Sequence, residues 1–135
     1  MPKLWLLYDY VNSGGRNDFA EWTRTLEKPI RAKLNAKLDV LQRLGPETPV
    51  VAGPLKNTSN RGTQIYKLRI TANNVQLRPM TCKGPINLEA EYTLLLGCTE
   101  RDDAYVPRDA VDRAELNRAA ILKNKTRRCA HERIS

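Results

Sequence analysis

"QIYKLRITANNVQLRPMTCKG", residues 64 to 84, is the stretch on which the fold turns. Asn73-Asn74 suits the two-residue loop of a type I′ turn, because asparagine tolerates the positive φ that both central positions demand. With that loop the register follows. Ala72 lies opposite Val75, Ile70 opposite Leu77 and Leu68 opposite Pro79 on one face; Thr71 meets Gln76, Arg69 meets Arg78 and Lys67 meets Met80 on the other. The apolar pairs fall together, and a one-residue slip would scramble both faces. Pro79 is the weak point, since it removes a ladder donor and prefers an edge or a bulge. Two arginines directly across a ladder cost about 0.2–1 kcal/mol, and the hairpin holds no acid to offset them.

Long cationic side chains can splay into water, and charge clusters are often only solvated surface. The wider charge map favours a functional reading. Between Glu47 and Glu89 there is no acidic residue, yet Lys56, Arg61, Lys67, Arg69, Arg78 and Lys83 all fall there, six positive charges against a formal net charge of +8. An unneutralised cationic sheet face is what a phosphate-binding surface requires.

Outward from the hairpin, "KLWLLYDYV" reads as an opening strand that ends at the loop signal "NSGGR". Asn17 is placed to cap a helix starting at Asp18, with Phe19, Trp22 and Leu26 as its apolar stripe. Pro29 either ends that helix or begins the next, in which Ile30, Leu34, Leu38, Leu41 and Leu44 recur at helical spacing until Gly45-Pro46. Residues 48 to 55 form a short strand or an extended loop. "EYTLLLGC", 91 to 98, is nearly all apolar and therefore expected at the centre of the sheet. A closing helix begins at Pro107 or Arg108, with Ala110, Ala114, Leu116 or Asn117, and Ile121 facing inward; a basic tail follows. The expected architecture is α+β: one domain over residues 1–124, with two N-terminal helices and a C-terminal helix packed on an antiparallel sheet, and a tail over 125–135.

Other features exclude whole classes. The run "LWLLYDYV" is too short for a bilayer and contains Asp9; without a cationic leader or a small-residue cleavage site it is not expected to be a signal peptide. The three cysteines, Cys82, Cys98 and Cys129, are far apart and lack CxxC spacing, which suits a reduced cytoplasm and argues against a disulfide framework or a structural zinc. For chemistry, a guanidinium can hold the extra charge of a phosphorane, and RNA brings its own 2′-hydroxyl nucleophile. A proton acceptor is still needed. The sole histidine, His131, lies in the tail, so Lys67 is the alternative if neighbouring cations lower its pKa.

The order of a strand, two helices, "IYKLRI", an arginine-bearing strand, "EYTLLLGCTERDDAYVP" and "AVDRAELNRA" resembles the RelE/ParE superfamily of type II toxin–antitoxin toxins, and within it the HigB-like, phage-derived branch. The resemblance covers residues 3 to 124. It implies a RelE-like fold and a ribosome-dependent mRNA endoribonuclease that works without metal or other cofactor. On this resemblance Lys67 would assist proton transfer. Arg69, Arg78 and Arg101 would hold the scissile phosphate, with Gln76 an alternative holder of the position given to Arg78. Tyr105 would stack on a base or, equally, pack against the helix. Lys56, Arg61, Lys83, Arg127 and Arg128 would contact RNA. Implied partners are an acidic cognate antitoxin, the ribosome and mRNA, with no membrane. The chain departs from the pattern at "TERDD", where acids dilute the charge, and at Pro79. Those departures favour one rival, a non-catalytic phage-derived RNA- or protein-binding protein of this fold; a second rival within the superfamily is a ParE-type gyrase inhibitor, against which the cationic sheet face argues.

Overall fold

The structure, a computed structural model, describes residues 4–43, 52–54 and 65–135. It is α+β. Strand β1 (Leu6–Tyr10) leads into helices α1 (Asp18–Thr25) and α2 (Lys28–Arg43). Strands β2 (Ala52–Pro54), β3 (Ile65–Leu68), β4 (Ile70–Ala72), β5 (Val75–Leu77), β6 (Met80–Lys83), β7 (Glu91–Leu96), β8 (Thr99–Arg101) and β9 (Ala104–Val106) follow. Helix α3 (Ala110–Lys123) and strand β10 (Arg128–Ala130) close the chain. Leu44, Gly45-Pro46 and most of the 48–55 segment lie outside the described residues.

The helices begin and pack as their residues dictate. The Asn17 side chain accepts from the Ala20 amide at 2.9 Å, which satisfies an orphan donor at the start of α1. Phe19, Ile30, Leu34, Leu38 and Leu41 bury one face of the helical hairpin against Leu7, Leu68, Ile70, Leu77, Tyr92 and Leu94 of the strands. Ala110, Ala114 and Ile121 of α3 are fully buried against Ile65, Met80, Cys82 and Leu95 on the opposite face. Between the two candidates for the remaining inward position, Asn117 takes it, donating to the Leu95 carbonyl at 2.9 Å, while Leu116 is 71% exposed.

The sequence suggested one antiparallel sheet; the structure has two among the described residues, and the larger is mixed. Six strands run in the order β10-β1-β7-β6-β3-β2, with β7 near the centre and β1 parallel to it; four more run β4-β5-β8-β9. A parallel pair needs a long connection between its members, and α1 with α2 supplies a helical crossover straight after β1.

The quoted hairpin keeps its expected register on both sides of a break. Ile70 pairs with Leu77, Thr71 with Gln76 and Ala72 with Val75; further down, Lys67 pairs with Met80 and Ile65 with Cys82. Asn73 and Asn74 have φ of 50° and 67°, as a type I′ loop requires. Complete burial of Leu68 and Leu77 is worth about 1.5–3 kcal/mol each and holds this register. At Arg69 and at Arg78-Pro79 the ladder breaks and the hairpin passes from one sheet to the other. Proline explains the break: Pro79 has no N–H to give, its carbonyl accepts from the Leu68 amide at 2.9 Å, and the Arg78 amide turns to the Cys98 carbonyl at 2.8 Å.

Two segments depart from their sequence reading. "TERDDAYV" is a second hairpin, β8–β9, turned at Asp102 and Asp103 with φ of 51° and 62°. The tail is folded too. Strand β10 lies antiparallel on β1, with Asp9 opposite Cys129, and the His131 amide donates to the Leu7 carbonyl at 3.0 Å. An open edge on β1 and the buried Asp9 both call for such partners.

Candidate functional site

Where β9 folds back toward β3, two sequence-chosen residues meet. The Lys67 ammonium donates to the Tyr105 hydroxyl at 3.1 Å and lies 5.5 Å from its ring centroid, close enough for a cation–π contact. Tyr105 is half-buried and also packs against the core under α3.

A cross-strand row runs beside this pair. Thr71 is registered with Gln76, Gln76 with Glu100, and Glu100 with Tyr105, one residue from each of four strands. Registered neighbours have Cβ atoms about 4.5–5.5 Å apart, so the Glu100 carboxylate is a near neighbour of Tyr105. Arg78 Nε lies 3.4 Å from Glu100 Oε1, while its other nitrogens donate to the Leu77 carbonyl at 2.8 Å and to Gln76 Oε1 at 2.9 Å. Arg78 is thus buried and neutralised, which corrects the expectation of an unneutralised arginine pair. Its counter-charge comes from a strand that the hairpin alone does not reveal.

Arg69 is exposed and makes no ion pair among the described residues, so it is the free cation of the two. Cys98 lies beneath the site and donates to the Arg78 carbonyl at 2.9 Å. Burial pushes its thiol up to about 12, against the opposing pull of the Arg78 and Lys67 charges, with Glu100 adding to the rise. That thiol is a packed neutral group rather than a nucleophile.

The remaining predicted residues are placed in different ways. Arg101 is exposed beside the β8–β9 turn and lines a cleft with Tyr105 and Arg108. Lys83 is half-buried opposite Tyr92 at the end of β6. Arg127 donates to the Val11 carbonyl at 2.8 Å, and Arg128 pairs with buried Glu91 and covers the Tyr8 ring 3.9 Å from its centroid. These two arginines fasten β10 to the body. Lys56 and Arg61 lie outside the described residues. His131 is equally remote in role: its Nδ1 lies 2.9 Å from Oδ1 of buried Asp9, whose other oxygen accepts from Asn17 at 2.8 Å.

Sequence reasoning missed Glu100, although the signal was present. Asp-Asp tolerates a type I′ loop as Asn-Asn does, and turning "TERDDAYV" there sets Glu100 opposite Tyr105. Among the described residues no group of three or more His, Cys, Asp or Glu could hold a metal ion, and no helix is long and apolar enough to cross a membrane. No family model, no curated protein and no solved structure matches this chain.

Proposed function

We propose that this chain is a RelE/ParE-type toxin of the HigB-like branch, a ribosome-dependent mRNA endoribonuclease that works without a metal. The observation that supports it most is the Lys67–Tyr105 contact set beside the Arg78–Glu100 pair. These residues supply the parts that cleavage of RNA by its own 2′-hydroxyl needs. Glu100, held by Arg78, accepts the 2′-hydroxyl proton as that oxygen bonds to phosphorus. Tyr105 gives its proton to the departing 5′-oxygen, and the Lys67 ammonium stabilises the phenolate as it forms. Exposed Arg69 meets the non-bridging oxygens, where the transition state gathers charge. The products are a 2′,3′-cyclic phosphate and a 5′-hydroxyl.

A cytoplasmic toxin of this kind requires an antitoxin, and an acidic partner suits the +8 charge. One observation favours the non-catalytic alternative: Arg78 is already spent on Glu100, which leaves fewer free cations for the phosphate.

Induced expression in a bacterial host, with growth followed and mRNA ends mapped, separates these readings. Growth arrest with new translation-dependent ends, both abolished in Lys67→Ala/Arg69→Ala, is the expected result. Normal growth with intact mRNA from a folded wild-type protein would leave only binding. Arrest with intact RNA and stalled supercoiling would indicate a gyrase poison instead.

A further inference from the structure

We propose that the cleft beside Tyr105 is a subsite for a guanine base of single-stranded RNA. The inference rests on the reading of this face as RNA-facing and adds a specificity to it. The cleft has a volume of about 340 Å³ and is lined by Arg101, Asp102, Ala104, Tyr105, Val106 and Arg108. That volume falls at the lower end of the roughly 300–1,000 Å³ typical of small-ligand sites. Its walls combine a half-buried aromatic ring, two exposed guanidiniums and an exposed carboxylate.

The charges in this cleft are uncommitted. Arg101, Asp102 and Arg108 form no ion pair among the described residues, although opposite charges share one small concavity. Contrast Arg113, which is satisfied by Asp109 at 2.9 Å one turn away. Separate donors and an acceptor around a flat wall suit a flat ligand that offers both kinds of partner. Guanine does so: O6 and N7 accept from an arginine fork, while N1–H and the N2 amino group donate to a carboxylate. Adenine lacks the O6 acceptor and carries an amino donor in its place, so it fits an arginine fork poorly. Tyr105 supplies the stacking surface, and every base has a π-face for it. The same tyrosine carries the Lys67 contact, so a base seated here would set the register of the adjoining phosphate against Lys67 and Glu100.

The test uses 2′-O-methylated single-stranded heptamers, which cannot be cleaved through a 2′-hydroxyl. One carries a single central guanosine among adenosines and the other is all adenosine. Titration of the full-length protein, followed by the backbone amide resonances of Arg101 to Val106, gives both affinities. Wild type should prefer the guanosine oligomer by about tenfold, the discrimination of one good arginine–guanine contact. Asp102→Asn retains a residue suited to φ of 51° and so preserves the turn; it should reduce the preference to under about threefold without weakening the all-adenosine oligomer. Arg108→Ala should weaken the guanosine oligomer more than the other.

Equal affinities in wild type, or an undiminished preference in Asp102→Asn, would overturn the proposal. Binding of 5′-GMP with exclusion of the guanosine oligomer would also overturn it, in favour of a mononucleotide site. The preference is read without cleavage. Intact cellular mRNA together with a retained guanine preference would therefore sink the nuclease reading and leave the subsite standing.

Discussion

Cys98 shows how single residues beneath the site feel its charges. Its thiol and that of Cys82 are both pushed up to about 12, chiefly by burial, from an ordinary value near 9.0. A folded-state pKa above the unfolded one means that the unfolded chain gives up its proton first as pH rises. The stability held by these thiols is therefore complete below about pH 9 and is lost between about 9 and 12. In that window each contributes a slope of about 1.4 kcal/mol per pH unit. Urea midpoints of Cys98→Ala should accordingly fall less steeply than wild type above pH 9, and parallel slopes would count against the buried neutral thiol. Legibility at this scale was uneven. Lys67 and Tyr105 were readable as a basic strand residue and an aromatic beyond the last strand. Glu100 was not, because its role depends on strands pairing around Asp102-Asp103, and that turn had been read only as diluted charge.

At the scale of elements, close approach matters more than propensity. Gly97 follows β7, and a Cβ built there would come within 2.1 Å of the Trp22 indole on α1. Helix α1 packs on β7 through that missing side chain. Gly97→Ala should lower stability by about 1–3 kcal/mol in urea unfolding, the range for forced overpacking. Trp22→Leu in the same chain should recover part of that loss, since residues in contact are not additive. An unchanged midpoint in Gly97→Ala would refute the contact. The helices and the first hairpin were legible because periodicity, caps and turn chemistry are local. The parallel pairing of β1 with β7 was not, since it joins residues 85 positions apart and depends on how the helical crossover lies. The folding of β10 was hidden for a related reason. "RRCAHER" reads as a basic tail until buried Asp9 and Glu91 are known to need His131 and Arg128.

At the scale of the whole molecule, the cations singled out in the sequence divide into two groups among the described residues. Arg127 and Arg128 are consumed in holding the last strand, and Arg78 in holding Glu100, whereas Arg69 is exposed two residues from Lys67, and Arg101 and Arg108 are exposed in the cleft with Tyr105. The net charge of +8 alone could not show that division, because it does not distinguish a bound guanidinium from a free one. On the proposed reading, these exposed cations serve metal-free cleavage of RNA, with Glu100 as proton acceptor and Tyr105 as proton donor. The most direct measurement adds purified protein to ribosomes translating a defined mRNA and determines the chemistry of the new ends. A 2′,3′-cyclic phosphate and a 5′-hydroxyl are expected, with Tyr105→Phe slower by about 10²–10⁴-fold, the usual contribution of a positioned proton donor. An intact message, or cleavage undiminished in Tyr105→Phe, would contradict the assignment of this site.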